Sequence, residues 1–308
     1  YPIKSSMEVV ETGKVKGTTV FCDKNAWGAD HIAVVGRINA HPDFAGEIES
    51  GLFKMMAIGL GKQHGAENYH RAGQHYSYAE IFPLVGRTVL DTGHILFGLG
   101  VVQNGYGETA KVKAVLPRDF EPEEKALLRE AKAWLARLPF DAIDLLIVDE
   151  MGKNISGAGM DPQVIGRPAI QRPAEKPRIR HLFVRDLTPE SAGNAIGIGF
   201  ADMTTWRLVK SINYAAMYMN GITSSDTHDS KVPMAFDTDR DAIQAALGMN
   251  GLTPPEKARV VRIKNTRHLT EIDASESMLA EVKACERLTV INDPAPLTFE
   301  ETGNLLPF

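Results

Sequence analysis

Short apolar runs that alternate with helical patterns constrain this chain more than any other feature. HIAVVGRI (31–38), ILFGLGVV (95–102), IDLLIVDE (143–150) and HLFVRDL (181–187) read as strands. The near-continuous apolarity of HIAVVGRI is typical of a parallel strand covered on both faces. MEVVE (7–11), TTVFC (18–22), TAKVKAVL (109–116), ARVVRIK (258–264) and RLTVI (287–291) are further strand candidates. The clearest helix is EPEEKALLREAKAWLARL (121–138), with an acidic first turn, Pro122 near its start and apolar residues at helical spacing. Helical patterns also cover 46–60, 76–91, 206–220, 240–248 and 275–284, and another begins at Pro189 and runs to about Ile196. Strands and helices alternating in this way predict an α/β fold of two lobes, with mostly parallel sheets flanked by helices. The first lobe is expected over 1–140 together with about 291–308, and the second over 141–290.

The 308 residues suffice for a sizeable core, and 44% apolar with 24% charged residues fits a globular protein. Net charge is 34 − 39 = −5 with no dominant basic cluster, which argues against nucleic acid or an anionic membrane as the main partner. Only Cys22 and Cys285 are present, without CxxC spacing, so a disulfide framework is not expected and a cytoplasmic location is. No apolar run reaches membrane-spanning length, and no signal peptide opens the chain. The opening YPIKSSMEVV has no Met, which predicts further residues upstream.

Common nucleotide signatures fail. GLGKQ (59–63) resembles the end of a P-loop, but Met56 stands where its first glycine is required and Gln63 replaces the Ser/Thr. No GxGxxG follows a strand, and GxSxG, HExxH and EF-hand patterns are absent.

Chemistry concentrates in HPDFAGEIESGLFKMMAIGLGKQHGAENYH (41–70), which holds His41, Lys54, His64 and His70. Strand 31–38 delivers His41 at its carboxyl end, where α/β sheets place ligands. Ile48, Leu52, Met55 and Met56 follow helical spacing, and Lys54 falls on another face, flanked one turn away by mostly small residues. Gly51, Gly59 and Gly61 predict that this helix is short or broken.

This stretch resembles nickel-dependent lactate racemase and its relatives. The likeness rests on His41 followed by Phe44-Ala45-Gly46, then Ser50-Gly51 and Lys54, with His70 sixteen residues beyond the lysine. The His41–Lys54 separation is longer than the family's. The segments SSMEVVE, GEIESGLFKM, AIGLGK and EMGKNISG look closer still to uncharacterised lactate-racemase-domain proteins, which carry about a hundred further residues upstream. The resemblance implies an isomerase that racemises or epimerises a small-molecule 2-hydroxy acid. Its cofactor would be a nickel-pincer nucleotide, a pyridinium-3,5-bisthiocarboxylic acid mononucleotide attached to Lys54 through a thioamide. His70 would ligate nickel and His41 would be one proton-transfer histidine, the second lying upstream. Imidazole and sulfur donors suit nickel, and histidine exchanges protons near neutral pH. Other enzymes on the same scaffold, including a Schiff-base lysine enzyme, a non-catalytic binding protein and a homo-oligomer all remain open.

The loop MGKNISGAGMDP (151–162) follows strand 143–150 directly. Its glycines could simply make a tight turn, or its backbone could form a nest for the cofactor's phosphate with Lys153, Asn154, Ser156 and Gly157 as binding residues. Asp149 and Glu150 could be acid–base groups or caps, and Trp206 could stack on a ring or fill a core. His31, His64, His75 and His94 read as structural, and Asp226 and His228 sit in a polar loop without an assigned role.

Overall fold

The computed structural model describes residues 2–308, which divide into two compact units. The first comprises residues up to Leu135 with Ile170–Arg172 and Thr223–Ser225; the second comprises Ala136–Ala169, Pro173–Ile222 and Asp226–Phe308. The C-terminal segment 291–308 therefore belongs to the second unit, not the first. There Leu305 is buried in an apolar cluster with Leu145, Phe183 and Ile243.

In the first unit, β1 (Val9–Val15) and β2 (Thr18–Asp23) form an antiparallel hairpin. Lys16 and Gly17 both have positive φ, 49° and 77°, the geometry whose twist matches a two-residue hairpin. A short α1 (Lys24–Trp27) leads to β3 (Ile32–Arg37). After a loop come α2 (Leu52–Lys54), one π-helical turn (Met55–Gly59), α3 (Leu60–Tyr76) and α4 (Tyr78–Leu90). β4 (Ile95–Gln103), β5 (Thr109–Val115) and α5 (Phe120–Ala133) complete the unit. The sheet order is β3-β4-β5, parallel for the first pair and antiparallel for the second. β3 alternates buried and exposed residues, leaving Val35 55% exposed, so it is covered on one face and not on both as expected. Helix α5 ends at Ala133, before the expected 138, because Leu138 is drawn into the core of the second unit.

The second unit runs through β6 (Ala142–Met151), α6 (Pro162–Ile165), β7 (Arg178–Leu187), β8 (Met203–Thr205), α7 (Trp206–Ser211), α8 (Tyr214–Ser224, whose last two residues group with the first unit), β9 (Met234–Phe236), α9 (Asp239–Gly248), β10 (Val260–Ile263), β11 (Asp273–Ala274) and α10 (Leu279–Ala284). Its six-stranded sheet has the order β11-β10-β6-β7-β8-β9, parallel throughout except for the edge pair β10–β11. Ile143, Leu146 and Val148 of β6 face one core with Leu208 and Met217. Leu145 and Ile147 face another with Ala242, Ile243 and Ala246 of α9. Cover on both faces explains the unbroken apolar run of β6.

Three expected elements differ. The helix expected after Pro189 is a single 3-10 turn, Pro189–Ser191, stopped by Ala192 and Gly193 at positive φ. The helix expected over 206–220 breaks at Ile212–Asn213 into α7 and α8. Residues 287–291 form no strand; Val290 and Ile291 are exposed. No helix is long and apolar enough to cross a membrane among the described residues.

Candidate functional site

His41 sits in the loop that leaves β3, and that loop is organised by one buried carboxylate. Glu49 is fully buried and accepts the backbone N–H groups of His41 (2.6 Å) and Gly46 (2.8 Å). It also accepts Lys132 Nζ (2.6 Å) and Arg172 Nη2 (3.1 Å). Arg172, 5% exposed, donates further to the carbonyls of His41 (3.1 Å) and Phe44 (3.0 Å). The needs of this network override the helical pattern over 46–50: Ser50 bridges Asn39, and regular helix begins only at Leu52. A buried charge is tolerated only where hydrogen bonds and an opposite charge compensate it, and both conditions hold here.

The helix carrying Lys54 is short and irregular, as its glycines predicted. Three α-helical residues pass into a π turn over Met55–Gly59, a feature frequent at functional positions. The chain breaks again at Lys62 (φ 53°, ψ −154°), whose amine pairs with Asp23 at 2.9 Å. An unbroken α-helix would carry a side chain sixteen residues on about 24 Å along its axis. The two irregularities instead bring His70 within electrostatic reach of Lys54.

Lys54 Nζ lies against His41 Nε2. His41 Nδ1 accepts the backbone N–H of Asp43 (3.1 Å), and its ring stacks on Phe44 at 4.5 Å. A single proton lies between Nε2 and the lysine nitrogen: Nε2 accepts it from a charged amine and donates it to a neutral one. Burial, then the charges of Lys54, His70 and Arg172, hold His41 well below the usual imidazole range. Burial and then Lys54 bring His70 down to about 4, against a smaller opposing effect of the Ala66 carbonyl one turn back. Both imidazoles are therefore neutral at neutral pH, the form that binds metals or accepts protons. Nδ1 of His70 is buried without a partner in hydrogen-bonding geometry. The edges and faces of Tyr78 (5.6 Å) and Phe82 (6.0 Å) wall the His70 ring.

The structure thus brings together His41, Lys54 and His70, the three residues the sequence singled out in this stretch. Lys153, Asn154, Ser156 and Gly157 lie in the second unit, in a loop bonded internally and to Thr188 and Ser191. Lys153 N donates to Ser191 Oγ (2.9 Å), and Lys153 Nζ to the Gly157 carbonyl (2.5 Å). Asn154 Oδ1 accepts Thr188 Oγ1 (2.7 Å), and the N–H groups of Ile155 and Ser156 both return to the Gly152 carbonyl.

Asp149 is clamped by Arg262 at 2.8 and 2.6 Å and by Arg185, and Glu150 accepts Asn265 (2.7 Å), so both serve the fold. Trp206 opens α7 and is 46% exposed.

Sequence reasoning missed Glu49, Arg172 and Glu124. Only Glu124 left a signal. It falls on the apolar stripe of α5 with Phe120, Leu127, Leu128 and Ala131, all buried. A carboxylate on that face must have a buried partner.

Among the described residues, no group of three or more His, Cys, Asp or Glu side chains is arranged to hold a metal ion. No protein-family model matches the chain, and no curated protein matches it.

Proposed function

We propose that this protein is an isomerase that racemises or epimerises a 2-hydroxy acid, using a nickel-pincer nucleotide attached at Lys54. The observation that carries the reading is the convergence of Lys54, His41 and His70 from a loop, a broken helix and its continuation. The residues present fit the group on three counts. Lys54 offers a half-buried amine for covalent attachment. His70 would offer a neutral imidazole as the protein's ligand to the metal. The protein supplies no competing multi-ligand metal site among the described residues.

When bound, the group supplies a reversible acceptor for hydride from the hydroxyl-bearing carbon of the substrate. The chain's own residues do the rest. His41 presents Nε2, the nitrogen that faces Lys54, to the substrate hydroxyl; in the tautomer with the ring's hydrogen on Nδ1, Nε2 would take the hydroxyl proton as hydride leaves and return it when hydride returns. Glu49 and Arg172 prevent the His41 loop from drifting. Phe44, Tyr78 and Phe82 give the histidines apolar walls that limit water.

The Lys54–His41 contact also favours a second reading, a lysine that forms a Schiff base with a carbonyl substrate. One assay separates the two. Protein co-produced with cofactor-synthesis enzymes is given single enantiomers of 2-hydroxy acids, and the opposite enantiomer is followed by chiral chromatography. The proposal expects interconversion that Lys54→Ala abolishes. Interconversion that survives Lys54→Ala, or borohydride trapping of a substrate on Lys54, would overturn it.

A further inference from the structure

The turn that carries Lys54 has no cap of its own. The residue preceding it is Gly51, which has no side chain to offer, yet the first N–H groups of a helix need acceptors. They find one more than seventy residues away in sequence. Glu124, fully buried on α5, accepts Leu52 N (2.8 Å) and Phe53 N (3.1 Å) with the same oxygen, Oε2. Its other oxygen, Oε1, is buried with no partner. Gly51 makes the approach possible, since a Cβ there would lie 2.3 Å from Oε1. Gly51 has extended backbone, so the constraint at this position is space and not φ.

We propose that Glu124 is the positioning residue for Lys54. Its carboxylate grips the first turn of α2 from outside and so holds the lysine amine on His41. This rests on Lys54 being the reactive group of the site. The grip depends on charge as well as shape, because an ionised acceptor at a helix N-terminus is held more strongly than a neutral one.

Among the described residues, no charged group adds to burial and the two amides in shifting Glu124. On its own helix, Glu123 turns to Lys113, and Lys125 to Glu47 and Glu121. On the preceding turn, Arg118 and Asp119 face each other. β4 carries no charged residue, and Lys54 is the one charge on α2 and its π turn. Burial raises Glu124 to about 7, against the two amide hydrogen bonds that lower it. Its ionisation, and the grip with it, therefore changes near neutral pH.

The test needs no cofactor, so its outcome is independent of the pincer reading. Trace acetylation with acetic anhydride, read lysine by lysine by peptide mass spectrometry, is run between about pH 5 and 9 on wild type and Glu124→Gln. Lys210, in the second unit, is the internal reference. In wild type, the Lys54 rate should show an inflection near pH 7 that follows Glu124. In Glu124→Gln that inflection should vanish. The two proteins should differ by about tenfold above pH 8 and converge below pH 6, the size expected for one charge-assisted hydrogen bond.

Superimposable profiles in a folded Glu124→Gln, or a difference that is the same at both ends of the range, would overturn the proposal. If Glu124→Gln does not fold, Gly51→Ala serves instead, because its Cβ displaces the carboxylate without removing it. Retention of the wild-type inflection in Gly51→Ala would also overturn the proposal.

Discussion

Truncating Glu49 to alanine should be among the most costly single changes in the first unit. The carboxylate has no exposure and accepts two backbone N–H groups, a lysine and an arginine. Lys132 is about one-third exposed and can turn to water. Arg172, whose side chain is 4% exposed, cannot; it would lose the buried carboxylate it pairs with at 3.1 Å. Removing one partner of a buried ion pair costs about 3–5 kcal/mol. That is a large share of the ~5–15 kcal/mol that holds a typical domain folded.

Arg172→Met should cost less, because Glu49 retains Lys132 and both amides. The double variant Glu49→Ala/Arg172→Met should cost less than the sum of the two single changes by at least about 1 kcal/mol, since both single changes break the same buried pair. Urea unfolding measures this, read by Trp27 and Trp134 in a Trp206→Phe background so that only the first unit reports. Single costs below about 1 kcal/mol, or strict additivity, would show that the network does not hold the His41 loop.

Two further expectations follow from other parts of the molecule. His70 is depressed to about 4 by burial, so the folded state holds fewer protons than the unfolded one between that value and the ordinary 6.5. Stability is full above 6.5 and declines as pH falls towards 4, and His70→Gln should flatten that limb in a series of Tm measurements. At the C-terminus, Leu305 N donates to the buried Asp239 (2.9 Å), while its carbonyl accepts Arg185 Nη2 (2.7 Å) and the Leu306 carbonyl accepts Arg262 Nη2 (2.6 Å). Deleting Leu305–Phe308 should lower the second unit's Tm by several degrees, on the order of 2–4 °C per kcal/mol lost for a unit of this size, and leave the first unit's unchanged.

In the second unit the central strands were the most legible in the sequence, and the reason is physical. β6 and β7 are covered on both faces, so their apolar runs mark them without reference to anything distant. β8 and β9 are three residues each and carry too little pattern to be seen. In the first unit, the resemblance singles out Lys54 and His70 by their sixteen-residue separation, but the sequence does not reveal what joins them. The loop over 46–50 follows the demands of Glu49 and Arg172, 123 residues apart, rather than its own helical pattern. The break at Lys62 answers Asp23 and is equally non-local. Expecting 291–308 in the first unit failed for the same reason: Leu305 is placed by Asp239 and Arg185, which no local pattern near residue 305 encodes.

The decisive measurement is intact mass with metal analysis, followed by peptide mapping, on protein produced alongside nickel-pincer synthesis enzymes. The account predicts an adduct localised to Lys54 with nickel in proportion, and loss of nickel but not of the adduct in His70→Ala. An unmodified Lys54 without nickel under those conditions would contradict it and leave the Lys54–His41 pair as a metal-free lysine site.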